Sequence, residues 1–66
     1  MLVRVDRESD ALYFRLDESR VVESEEVRPG VILDFDAQDQ VVGVEFLGVS
    51  ARANDQALSS MQFETS

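Results

Sequence analysis

The chain is 66 residues long, with 14 acidic residues against 6 basic ones, a formal charge of −8, and neither His nor Cys. Such a chain repels phosphate backbones and anionic bilayers. It lacks the commonest general base and metal ligand, and with no Cys and every basic residue Arg, no side-chain thiolate or amine is present for covalent catalysis.

No apolar run approaches the ~20 residues of a membrane helix, and the N-terminus lacks the basic-then-apolar layout of a secretory leader. A cytoplasmic protein that touches neither nucleic acid nor membrane directly is the expectation. With 44% hydrophobic residues the chain carries enough apolar matter for a core. For one domain of this size, however, apolar burial and chain ordering are each about 100 kcal/mol and nearly cancel. No disulfide is available to help, so self-association is expected.

Apolar residues recur with period two, the signature of strands. Leu2 to Asp6 places Val3 and Val5 on one face. Arg7-Glu8-Ser9-Asp10 turns the chain. Ala11 to Leu16 follows, with Leu12, Phe14 and Leu16 alternating against Tyr13 and Arg15. After a turn at Asp17 to Arg20, Val21 to Val27 reads as a weaker strand whose Glu23, Glu25 and Glu26 suit an edge. Pro29-Gly30 predicts a bend or bulge.

Beyond it Val31, Leu33 and Phe35 alternate with Ile32, Asp34 and Asp36. Val42, Val44 and Phe46 alternate with Val41, Gly43, Glu45 and Leu47. A four-residue loop between the two segments would pair Asp36 with Val41, Phe35 with Val42, Leu33 with Val44 and Val31 with Phe46. A three-residue loop with a bulge at Asp39 would pair Asp36 with Gln40. The first register agrees better with the alternation. Ile32, Val41 and Leu47 then lie on a second face, with Tyr13 and Leu2 as companions, and a sheet apolar on both faces wants a second layer. After Val49, Ser50 is a candidate N-cap for a short helix through Ala51 to Leu58, with Ala53, Ala57, Leu58 and Met61 as a thin stripe. Gln62 to Ser66 are expected to fray.

The expected fold is mainly β, with α+β as the variant: a small antiparallel β-meander of about five strands over residues 1–49, then a short C-terminal helix or tail over 50–66.

Several strings, in this order, form a recognisable set. They are Asp10-Ala11-Leu12-Tyr13-Phe14-Arg15-Leu16, Ser24-Glu25-Glu26-Val27, Pro29-Gly30-Val31, Leu33-Asp34-Phe35-Asp36 and Val41-Val42-Gly43-Val44-Glu45. The chain resembles, over roughly residues 1 to 50, the small bacterial family known as domain of unknown function 2283. The resemblance implies a compact, mostly antiparallel β domain of prokaryotes with no established activity. Proximity of some such genes to small toxin-like genes adds an antitoxin-like role to what it implies. Asp39 stands where the family's hairpin turn usually has Gly, and Gly48-Val49 replaces the Asp-Ala that usually precedes Ser50.

Candidate chemistry is sparse. Asp34, Asp36 and Asp39 are the one carboxylate set that could seed a weak hard-cation site. Their spacing does not match a calcium loop, so the plainer reading is a solvated strand face and a turn. Glu45, between Val44 and Phe46, could be a carboxylate of raised pKa, but one carboxylate without nucleophile, metal or partner base is no catalytic set. Tyr13 with Arg15 suits either an interface anchor or a core edge with a cross-strand pair. The run Glu23 to Glu26 suits a basic partner or a solvated edge.

The expectation is a non-enzymatic interaction module without cofactor. It acts as a homodimer through Tyr13, Ile32 and Leu47, and presents a sheet edge and acidic surface to a small basic protein. The alternative is small-ligand or divalent-metal binding at the dimer interface or beside the Asp34/Asp36 face.

Overall fold

A computed structural model describes residues 1–52. They form one five-stranded antiparallel sheet: β1 (Leu2–Asp6), β2 (Ala11–Arg15), β3 (Glu23–Arg28), β4 (Val31–Phe35) and β5 (Val41–Leu47), followed by a single 3₁₀ turn at Val49–Ala51. The helix expected through Leu58, its stripe and the fraying end lie, from residue 53 on, outside the described residues. Ser50 does not supply an N-cap: the cap position of the 3₁₀ turn is Gly48, with φ of 63° and no side-chain bond.

The class is as expected, but the path is not a simple meander. The strand order is β1-β2-β5-β4-β3, so β2 and β3 are separated by two strands rather than adjacent. Composition explains this. β5 carries the richest run of apolar and β-branched residues and takes the centre, where Val42 and Gly43 are buried. β3 carries three Glu and stays at an edge, where each is exposed. The connection between β2 and β3 is tied to the sheet at both ends, Leu16 N–H donating to Val42 O at 2.8 Å and Val22 N–H to Phe35 O at 2.9 Å. Leu16 falls beyond the end of β2 and is 49% exposed instead of continuing the apolar face.

The β4–β5 hairpin combines both expected registers. Val31 pairs with Phe46 and Leu33 with Val44, but Phe35 pairs with Val41, and the register shifts between Asp34 and Phe35. The turn itself is the shorter loop: Asp36 N–H donates to Gln40 O at 3.0 Å, and Asp39 has φ of 62°. Val42 is the extra residue that restores the outer pairing. The cause is Asp36, whose Oδ1 accepts the N–H groups of Gln38 and Gln40, each at 2.9 Å. That local cap favours the tight turn over the wider one. Pro29-Gly30 makes a two-residue turn, Gly30 at φ of 78°, with a bulge between Glu26 and Arg28.

Directly opposite residues share a face, so the pairings sort the side chains. One face carries Val3, Phe14, Val44 and Leu33 in one row and Val5, Leu12, Phe46 and Val31 in the next. Phe14 and Phe46 meet edge to face, ring centroids 6.3 Å apart at 89°. The other face is mixed, with rows Arg4, Tyr13, Glu45, Ile32, Glu26 and Leu2, Arg15, Gly43, Asp34, Ser24. Extensive contacts between elements run only between neighbouring strands. Among the described residues, no strand or helix forms a second layer. The only apolar side chains counted there as buried are Ala11, Val42 and Val49.

Candidate functional site

The mixed face holds the most organised polar group. Tyr13 Oη donates to Asp34 Oδ2 at 3.0 Å, Ser24 Oγ donates to Asp34 Oδ1 at 2.7 Å, and Arg15 Nη1 donates to Tyr13 Oη at 3.3 Å. The network spans β2, β4 and β3, and it crosses β5 at Gly43. A Cβ at Gly43 would stand 2.9 Å from both the Tyr13 hydroxyl and Asp34 Oδ2. Glycine is what allows the phenol to lie across the central strand.

Arg15 does more than face an acid. Its Nε donates to Asp17 O at 2.7 Å and its Nη2 to Ser19 O, which holds the connection after β2 against the sheet. The Tyr13 hydroxyl beside it raises its pKa further above the usual guanidinium value. Asp17 is held below the carboxylate range, first by the backbone N–H of Ser19. Asp6 is lowered in the same way: its carboxylate accepts the N–H of Ser9 and of Glu8 and the Ser9 hydroxyl.

The three carboxylates weighed as a cation site have separate tasks. Asp34 is taken by Tyr13 and Ser24. Asp36 has left the strand to cap the turn, 6% exposed. Asp39 occupies the left-handed position of that turn. Among the described residues, no group of three acidic side chains is gathered so as to hold a metal ion.

The interface candidates are neighbours. Tyr13 and Ile32 are the two cross-strand partners of Glu45, and Leu47 lies two positions along β5 on the same face. A hollow of about 310 Å³ beside them is lined by Arg4, Asp6, Ser9, Ala11, Tyr13, Glu45 and Leu47. Glu45 therefore sits inside the sheet, half-buried, and not at its margin. What this face can do chemically is hydrogen-bond and present a carboxylate beside an aromatic ring. The Tyr13 and Ser24 hydroxyls both donate to the Asp34 carboxylate, so each is held in place by the same acid.

Sequence reasoning missed two features. One is the Tyr13-Asp34 network, for which Gly43 inside a strand pattern was the available signal. The other is a clamp between the β1–β2 turn and the end of β5. Asp10, at φ of 54°, accepts Ser50 N–H through Oδ1 at 3.0 Å and Ser50 Oγ–H through Oδ2 at 2.8 Å. Its carbonyl accepts Val49 N–H at 3.1 Å.

Fold and surface together define a small single-sheet antiparallel β protein with one apolar and one mixed face. Residues 2–50 match the model of the family described as protein of unknown function (DUF2283), and the chain belongs to that family. No curated protein and no solved structure matches the chain. Among the described residues, no helix is long and apolar enough to cross a membrane.

Proposed function

We propose that this chain is a non-enzymatic protein-interaction module that acts as a homodimer and offers its acidic surface to a small basic protein, in the manner of an antitoxin. One observation carries the reading. The described residues form a single layer, with half-buried or exposed apolar side chains on both faces and a Glu-rich edge. A sheet of this kind leaves apolar area that a covering protein surface would bury. The net charge of −8 favours a cationic partner and penalises an anionic one.

The test has two parts. Sedimentation equilibrium of the full chain at high micromolar concentration is expected to give the dimer mass, and a strictly monomeric protein overturns the homodimer. Affinity capture from the native host, followed by rebinding of the purified components, is expected to give a stoichiometric basic protein that dissociates at high salt. Recovery of the chain's own subunits alone would overturn the basic-partner part. A small-ligand reading has the hollow beside Tyr13 and Glu45 in its favour, and a rise in melting temperature with a small molecule would support it.

A further inference from the structure

We infer that the homodimer forms by stacking the two apolar faces, with the two-fold axis running along β5, so that Tyr13, Ile32 and Leu47 point away from the partner copy. The inference rests on the homodimer reading above and adds which surface is used and how the copies are related.

The two faces differ in what water costs them. On the apolar face the central rows are aliphatic and aromatic across β1, β2, β5 and β4, Phe14, Leu33, Val44 and Phe46 among them, all four half-buried. These rows become charged only at Glu25 and Arg28 on the β3 edge. On the mixed face Arg15, Tyr13, Asp34 and Ser24 already satisfy one another, and stacking on them would strip water from charged groups.

The size also fits a second copy. Five strands at ~4.8 Å spacing and five residues at ~3.4 Å rise give a face of about 24 by 17 Å, or roughly 400 Å² per copy. Two such faces total about 800 Å², below the ~1,200–2,000 Å² of standard stable interfaces and in the range of weak, reversible ones. Two pleated apolar faces stacked about 10 Å apart form an ordinary β-sandwich core. The sequence after Arg52 offers Leu58, Met61 and Phe63 as its large apolar side chains, too few to span a five-strand face.

Charge selects the axis. Glu23 and Glu25 lie on the apolar side of the β3 edge, opposite Phe35 and Leu33. A two-fold across the strands would put this edge over its own copy and oppose like charges. A two-fold along the central strand places β3 over the partner's β1 at the rim of the stack, where the exposed Glu23 and Glu25 carboxylates keep their water and meet no like charge, beside Val3 and Val5.

A matched pair of variants tests the assignment. Val5, 38% exposed, and Leu47, 37% exposed, lie on opposite faces. Val5→Asp, which would also face the acidic β3 edge, is expected to raise the dimer dissociation constant at least tenfold, and Leu47→Asp to leave it within about twofold. Isotope-filtered NOE spectra of mixed labelled and unlabelled wild-type chains need no variant to fold. Intermolecular cross-peaks from the Phe14 and Phe46 rings to Val3, Leu33 or Val44 methyl groups are expected. A dimer broken by Leu47→Asp, with cross-peaks confined to Tyr13, Ile32 and Leu47, overturns the stacking but keeps the homodimer. A monomer overturns both, as does a monomer in which Leu58, Met61 or Phe63 contacts Phe14 within one chain.

Discussion

The two faces of this sheet are built from the same five strands, yet they are stabilised by different physics. The apolar face depends on excluding water from Phe14, Phe46 and their aliphatic neighbours, a non-directional gain proportional to area. The mixed face is held by directed bonds, with one phenol bridging Arg15 and Asp34 above a glycine. A non-directional face tolerates changes of shape but requires a cover. A directed one stands in water without a cover, and tolerates no added atom at its centre.

The largest expected effect comes from the apolar face. Phe14→Ala should cost about 2–3 kcal/mol, below the full value for a buried aromatic because Phe14 is half-buried. Urea unfolding at two protein concentrations checks this. With the face covered by another copy the loss depends on concentration, and a loss under about 1 kcal/mol at both concentrations would break the contrast. On the mixed face, Gly43→Ala should cost about 2 kcal/mol by pushing the Tyr13 hydroxyl and Asp34 apart. Adding Tyr13→Phe should recover part of that loss and no more, since Asp34 Oδ2 is equally close to the new methyl. Full additivity of the two substitutions in thermal melts would show that the network is not what confines Gly43. The smallest effect lies outside both faces: Asp39→Gly, at φ of 62°, should stabilise by about 0.5 kcal/mol, read as a small upward shift in melting temperature.

The strands were legible because period-two alternation is a local property, and the acidic edge was legible because charge disfavours the sheet interior. The order of the strands was not. Seating β5 between β2 and β4 is decided by long-range pairing, and no window of sequence contains both sides of that ladder. The Asp34-Asp36 pair shows the limit of spacing arguments. Alternation puts both on one face, but Asp36 finds two backbone donors in the turn and leaves the strand. Asp39 shows the opposite case. Spacing marked it as a turn residue, and it takes the left-handed position there at φ of 62°, which Asp adopts at modest strain. The grouping of Tyr13, Ile32 and Leu47 was legible as a second face, whereas the network joining Tyr13 to Arg15, Asp34 and Ser24 depends on a close approach that only Gly43 hinted at.

The strand order also dictates when this protein can become itself. β3, β4 and β5 are joined by short turns and can assemble from neighbouring sequence, but the β1–β2 hairpin has no strand to lie against until β5 exists. Its docking joins opposite halves of the chain, so loop-closure entropy must be met before the ladder rewards it. The N-terminal hairpin therefore docks only once β5 is available, and the Asp10–Ser50 clamp joins the two ends of the family domain.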